Sequence, residues 1–333
     1  EFPCNMRDNA PSNTMNLADA EALFAQMLDG HMDDAEITAT LMDLADRGET
    51  AEDIAGAAQA MRARMIHITA PDNAIDVCGT GGDGQHSLNV STAVALVVAA
   101  CGVPVAKHGN RAASSLAGGA DTLEALGLNL ARASDLAEQT LPDLGIAFLF
   151  AQTHHPALAR LAPIRKALGR RTVFNLTGPL CNPAGVTRQL VGVPHPRLIA
   201  LYRDAMRLLG AEAALIVSGE EGLDELSIAG TSYLTSIGLP RIEIEITPDR
   251  AGLTPHPLEE LRGGDAQYNA AALHRLLMGE TGAYRDAVLL NSAAALLVAG
   301  EVDDWLEGVE EAAEAIDKGL AKGLLDCWID VVK

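Results

Sequence analysis

Hydrophobic and polar positions change rhythm once along this chain, near residue 70. From Asn16 to Thr69 apolar residues recur at helical spacing, as in Leu17, Ala20, Leu23, Phe24 and Met27. Two threonine-led helix starts are expected there, one at Thr38 and one at Thr50-Ala-Glu-Asp53, which has the S/T-x-x-E/D form of a capping box. No strand signal interrupts this region, so it reads as a small all-helical domain. Pro71-Asp72-Asn73 is a turn signal. After it, short apolar runs alternate with helical stretches. Strands are expected at 74–78, 103–106, 146–150, 189–193 and 213–217, and helices at 91–101, 118–126, 157–168 and 197–209. Residues 232–237 and 241–246, separated by Gly-Leu-Pro, read as a hairpin, and an amphipathic acidic helix is expected over 303–315. Such alternation predicts an α/β domain with a mostly parallel central sheet and helices on its faces.

Composition narrows what this frame can do. The chain has 333 residues, 48% of them hydrophobic but only 3% aromatic, so its core must be aliphatic. The formal net charge is -21. Counterion-driven binding to nucleic acid needs a basic surface, and base stacking needs aromatics, so neither is expected. An anionic small molecule would have to be held by local cations, backbone N–H groups or a metal. The five cysteines include no C-x-x-C spacing, which fits reduced thiols rather than a disulfide framework or a zinc site. The polar stretch Glu1–Leu17 lacks the apolar core of a signal peptide, residues 1–15 read as disordered or foreign to the fold, and no segment is long enough to span a bilayer. A cytoplasmic protein without membrane or nucleic-acid partners is the expectation.

Chemistry concentrates in two loops that leave expected strands. Gly79-Thr-Gly-Gly-Asp-Gly84 formally matches the dinucleotide pattern G-x-G-x-x-G. Three details oppose that reading: Gln85–Val90 delay the helix, Lys107 stands where a ribose-binding acid belongs, and Asp83 lies where a pyrophosphate would sit. The loop also lacks the G-K-[ST] ending of a P-loop. Beyond it, Ser87, Asn89 and Ser91 alternate with Leu88 and Val90, so in an extended segment the three polar side chains share one face. Ser91 and Thr92 then open a helix, whose N-terminus favours phosphate; a plain N-cap at Ser91 is the simpler alternative. The second loop, Lys107-His-Gly-Asn-Arg111 followed by Ser114 and Ser115, brings cations to the strand end where α/β sheets bind ligands. Asp224-Glu225, between glycines 219 and 222 and the next strand, is either ordinary acidic surface or an oxygen-ligand pair for Mg²⁺.

Read together, G-T-G-G-D-G (79–84), N-V-S-T-A (89–93), K-H-G-N-R (107–111), A-D-T-L-E-A-L-G (120–127), H-H-P-A (154–157), the run from Arg165 to Ala184 and G-L-D-E (222–225) closely resemble the anthranilate phosphoribosyltransferase family, over residues 16–332. That resemblance implies transfer of a phosphoribosyl group from 5-phosphoribosyl 1-diphosphate (PRPP) to the amine of anthranilate, with loss of pyrophosphate, in tryptophan biosynthesis. Position by position it implies PRPP binding by Gly79, Gly82, Asp83, Ser87, Asn89, Val90, Ser91, Thr92, by the loop Lys107, His108, Gly109, Asn110, Arg111, Ala112, Ala113, Ser114 and Ser115, and by Gly119. Anthranilate would meet Gly79, Asn110 and Arg165, the last facing its carboxylate, with His108 and His155 as further pocket candidates. Mg²⁺ would be served by Ser91, Asp224 and Glu225. No general base is implied, because an aromatic amine is already nucleophilic.

Four departures from the family pattern stand out. Ser87 replaces a common Thr and Leu88 a common Phe, Leu116-Ala117 stands where Lys-Ser is frequent, and Gly119 replaces a Ser or Ala, so only its backbone can contribute. The resemblance further implies a homodimer formed through the small domain. That domain would comprise residues 16–72 joined by about 155–185, and the large domain 73–154 and 186–333. Rival readings are a pyrimidine nucleoside phosphorylase-like enzyme and a non-catalytic nucleic-acid-binding relative.

Overall fold

The structure, a computed structural model, describes residues 14–112, 116–239 and 242–333. The chain begins with α1 (Leu17–Asp29), α2 (Asp34–Arg47) and α3 (Ala51–Arg62). Each starts on a side-chain cap. Asn16 accepts the Asp19 N–H, and Asp33 with Glu36 and Thr50 with Asp53 form reciprocal capping boxes. Thr50 thus opens a helix as expected, whereas Thr38 does not. It lies inside α2, where its hydroxyl donates back to the Asp34 carbonyl, and the acid Asp33 takes the capping role four residues before the helix's first buried apolar residue, Ile37. The expectation for residues 1–15 falls almost wholly outside the described residues.

The second part runs β1 (Ile75–Gly79), α4 (Val90–Ala100), β2 (Val105–Gly109), α5 (Gly119–Ala125), α6 (Leu130–Asp135), α7 (Ala137–Leu144), β3 (Ile146–Phe150), α8 (Ala151–His154), α9 (Leu161–Leu168), β4 (Arg188–Gly192), α10 (Arg197–Leu208), β5 (Ala213–Gly219), β6 (Ser232–Ile237) and β7 (Glu245–Ile246). It closes with α11 (Ala266–Leu277), α12 (Ala283–Ala299), α13 (Trp305–Asp317) and α14 (Leu320–Val331). Among the described residues one seven-stranded sheet forms, in the order β3-β2-β1-β4-β5-β6-β7. The first five are parallel and the last two antiparallel. The expected hairpin partner is cut to two residues, and positions 240 and 241 lie outside the described residues. No helix among the described residues is long and apolar enough to cross a membrane.

Alternate residues of each central strand feed different layers. Leu215 and Val217 pack into the core built by α4 and α12–α14, while Ala214 and Ile216 pack on the other side. That other core holds α10, continues into Phe24, Met27, Ile37 and Ile54 of the helical part, and includes Leu161, Ile164, Val173, Phe174 and Leu180. The helical domain is therefore anchored to one face of the sheet by a continuous apolar core, and the 161–180 segment is woven into it.

Candidate active site

The strand order reverses direction between β1 and β4, which is where α/β sheets open a crevice at their carboxyl ends. Both strands end in glycine there, Gly79 and Gly192. A Cβ on Gly79 would collide with the Asp224 carboxylate, and one on Gly192 with the Asp224 backbone carbonyl. Two missing side chains thus admit the 219–227 loop to the mouth of the crevice. The loop is then tied down. Gly81 N–H donates to Asp224 Oδ2 at 2.7 Å, Gln85 Nε2 to the Glu221 carbonyl at 2.7 Å, and Ser91 N–H to Glu225 Oε1 at 3.2 Å. The last contact gives α4 a cap from a distant carboxylate, since Asn89 at its N-cap position makes no side-chain capping bond.

The glycine-rich loop between β1 and α4 has left-handed backbone at Gly81, Gly82 and Gly84 (φ 71°, 73° and 75°), conformations that glycine alone adopts freely. Asp83 lies close enough to Asp224 for their charges to oppose one another. Asp224 and Glu225 keep some exposed area, yet both carboxyls are held well above the ordinary acid range. Burial is the main cause for each; Asp83 adds repulsion at Asp224, and Asp224 adds it at Glu225, with Lys107 working the other way there.

On the β2 side, backbone pairing gives way to side chains. β1 and β4 are in register at five positions, but β1 and β2 only at Ile75–Val105. In the gap beyond, Asp76 accepts from His108 N–H at 3.2 Å and from Asn182 Nδ2 at 2.8 Å. Asn182 Nδ2 also donates to the Ala106 carbonyl at 2.8 Å. Buried Lys107 donates through Nζ to the Val77 carbonyl at 2.8 Å and to Ser91 Oγ at 3.3 Å. Burial raises the Asp76 pKa, with Lys107 and these hydrogen bonds opposing it. Asp76 and Asn182 were not among the expected site residues. A lone acid in an apolar strand reads as its outward-facing member, and only the partner 106 residues away reveals its role.

His108 and His155 meet, Nε2 to Nε2, at 3.2 Å. His108 Nδ1 lies 3.0 Å from the Gly178 carbonyl, which can only accept, so Nδ1 of the neutral ring carries the proton and its Nε2 is left as an acceptor. Burial, followed by repulsion from His155 at His108 and from His154 at His155, lowers His108 to about 3 and His155 to about 4, so both rings are neutral. Arg165, in the last turn of α9, is half-buried above the Phe174 ring at 5.7 Å, with no carboxylate paired to it among the described residues; burial lowers its pKa.

Other expected site residues are placed less simply. The alternating face of Ser87, Asn89 and Ser91 does not persist. Ser87 is bridged to Arg262, but Val90 N–H donates back to the Leu88 carbonyl, and Asn89 takes an inverse γ-turn conformation (φ -72°, ψ 73°). Asn89 is thereby turned inward, donating to the Ala117 carbonyl and accepting from Thr122 Oγ1 and Asn269 Nδ2. Val90 and Ser91 begin α4 and Thr92 is buried within it. Arg111, expected as a counter-charge, is engaged by Asp121 and Glu124 and lies over Phe150. Asn110 is exposed, its Oδ1 accepting the Arg111 N–H. Ala112 N–H donates to Asp121, Gly109 backs onto the Phe148 ring, and a Cβ on Gly119 would stand 2.9 Å from Thr92 Oγ1. Ala113, Ser114 and Ser115 lie outside the described residues.

Among the described residues no three His, Cys, Asp or Glu side chains converge into an all-protein metal cage. The oxygen-only donors Asp224, Glu225 and Ser91 Oγ nonetheless fit a hard cation of the Mg²⁺ kind, which takes one or two carboxylates and completes its shell with water and substrate phosphate.

Two family models cover nearly the whole chain. A helical bundle domain of a glycosyl transferase family matches residues 8–65 and the a/b domain of the same family residues 71–322, which defines the class as glycosyl transferase. Among curated relatives, anthranilate phosphoribosyltransferase of Novosphingobium aromaticivorans is 63% identical over 96% of this chain and 97% of its own length. The chain belongs to the anthranilate phosphoribosyltransferase family. Among solved structures, anthranilate phosphoribosyltransferase from Thermus thermophilus superposes with a TM-score of 0.90 at 41% identity, covering 96% of both chains. The Saccharomyces cerevisiae enzyme in complex with PRPP and Mg does so with 0.85 at 29% identity, covering 95% of this chain and 92% of that one.

Proposed function

We propose that the protein transfers the 5-phosphoribosyl group of PRPP to the amine of anthranilate, forming N-(5-phosphoribosyl)anthranilate and releasing pyrophosphate. The observation that carries this reading is the meeting of the glycine loop, the acid pair Asp224-Glu225 and the α4 N-terminus at the strand-order reversal. In the reaction the C1–O bond to pyrophosphate breaks as the C1–N bond forms, and the amine proton leaves to solvent. Mg²⁺, when bound, supplies charge neutralisation for the departing pyrophosphate. Asp224, Glu225 and Ser91 would hold it. The glycine loop supplies N–H groups and close backbone approach, and Lys107 adds positive charge beneath the α4 N-terminus.

Arg165 is suited to the anthranilate carboxylate: a half-buried guanidinium without a protein acid gains most from an anionic ligand. The neutral histidine pair, bonded to the carbonyl of Gly178, gives the acceptor side a polar but uncharged wall. Neither ring is assigned as a base, and positioning with leaving-group stabilisation supplies the rate. Residues 155–185, whose apolar side chains share the core of α1–α3, are assigned to the small domain with residues 16–72. The test is direct. Folded protein mixed with PRPP, Mg²⁺ and anthranilate should consume anthranilate fluorescence in step with pyrophosphate release; absence of both overturns the assignment.

A further inference from the structure

Among the described residues many guanidinium groups in this acidic chain are already matched. Arg47 pairs with Asp53, Arg64 with Asp29, Arg285 with Asp317, and Arg111 with Asp121 and Glu124. Arg170 pairs with Asp46 of α2. Its neighbour Arg171 has no hydrogen bond or ion pair among the described residues and is exposed. Its guanidinium edge is instead turned onto the glycine loop. A Cβ on Gly82 would lie 3.6 Å from Arg171 Nη1 and 3.9 Å from Cζ. Gly82 has φ 73°, so no side chain competes for that space. The residue after Arg171 begins the Thr172–Leu180 stretch, whose Val173 and Phe174 are buried in the core shared with α1–α3. Arg171 therefore extends from the helical side onto a large-domain loop, against Gly82, where the left-handed backbone carries no side chain.

We propose that Arg171 is a further donor-site residue, contacting the diphosphate of PRPP where it approaches the Gly82 backbone. The inference rests on the phosphoribosyl-transfer reading above. Arg111 is engaged by two acids and Lys107 by a carbonyl and a hydroxyl, which leaves Arg171, among the described residues, as an uncommitted cation beside this loop. A planar guanidinium can meet two phosphate oxygens at once, which a lysine cannot. Because it comes from the helical side, the same contact would couple donor binding to the approach of the two domains.

The test compares the wild-type protein with Arg171→Ala and Arg171→Lys, each checked for native circular dichroism. Calorimetric titration with PRPP and, separately, inorganic pyrophosphate, both with Mg²⁺, is combined with steady-state kinetics. Arg171→Ala should weaken both ligands roughly ten- to hundred-fold, the loss expected for one charge-assisted phosphate contact. Arg171→Lys should recover part of it, while KM for anthranilate stays near wild type. Native-like binding of PRPP and pyrophosphate by folded Arg171→Ala overturns the proposal, as does an equal weakening of anthranilate. If the wild-type protein turns over but the variants bind normally, only this inference falls; if the wild type does not turn over, the parent reading falls and this one with it.

Discussion

Two clusters of ionisable groups flank the crevice, and they are held in opposite ways. On one side Asp83, Asp224 and Glu225 crowd negative charge together, so the two loop carboxyls titrate above their usual range. On the other side His108 and His155 meet at their Nε2 atoms, His108 bonds the Gly178 carbonyl, and both rings stay neutral. The histidine side is satisfied by the protein alone. The carboxylate side is not, and gains from a cation. In the reaction proposed above, the metal and leaving group would belong to the first wall and the acceptor to the second.

The largest effect should come from breaking the carboxylate wall by geometry. Gly192→Ala puts a methyl into the Asp224 backbone, which cannot swing aside as a side chain would. We expect kcat/KM to fall by roughly a hundredfold or more, the scale of an ångström-level misplacement, in protein whose circular dichroism remains native.

Next in size is the response to pH, which should differ in sign between the walls. The histidines bind protons less readily when folded, so below their ordinary pKa of about 6.5 the unfolded chain takes up protons that the native state refuses. Stability is then lost on acidification, by about 2 kcal/mol per histidine at pH 5. Chemical denaturation at pH 5 and pH 7 measures it, and His155→Gln should flatten the trend. The carboxyls bind protons more readily when folded, so without Mg²⁺ their contribution is full below the ordinary carboxylate range and is lost as pH rises from there to about 7 for Asp224 and about 8 for Glu225. Mg²⁺ should therefore raise the melting temperature more at high pH than at low.

Asp224→Asn sharpens the same point at smaller scale. It should relieve that alkaline penalty while raising the Mg²⁺ concentration for half-maximal rate by about tenfold, the low end of what loss of one metal-site partner costs. An unchanged Mg²⁺ profile removes this carboxylate from the site. Arg165→Ala probes the other wall: KM for anthranilate should rise by roughly tenfold, one charge-assisted bond, with KM for PRPP little altered. Equal changes in both would contradict the pairing with the anthranilate carboxylate.

Much of this was legible in the chain because its signals are local. The apolar run Ile146–Phe150 is a strand at those bounds, and Thr50-x-x-Asp53 caps a helix. Glycines mark the loops because positive φ is a property of single residues. What escaped depends on partners that the local pattern does not single out. Thr38 looked like a helix start until Asp33 proved to be the cap. Asn89 looked like a ligand face until a γ-turn delivered it to Thr122 and Asn269. Arg111 looked free until α5 brought Asp121 and Glu124 to it. Asp76 gave no signal at all, because the opening between β1 and β2 that it fills exists only in the assembled sheet.

The Asn182 amide crosses that opening beside the His108 and Lys107 bonds and joins Asp76 to the Ala106 carbonyl. Asparagines age by deamidation, when the next residue's backbone N–H attacks the side-chain carbonyl and forms a cyclic imide. The next residue here is Pro183, which has no N–H. Conversion of Asn182 to aspartate would set a second carboxylate against Asp76 in the interior, so the Asn-Pro order keeps the most vulnerable atom of the bridge beyond the reach of that chemical clock.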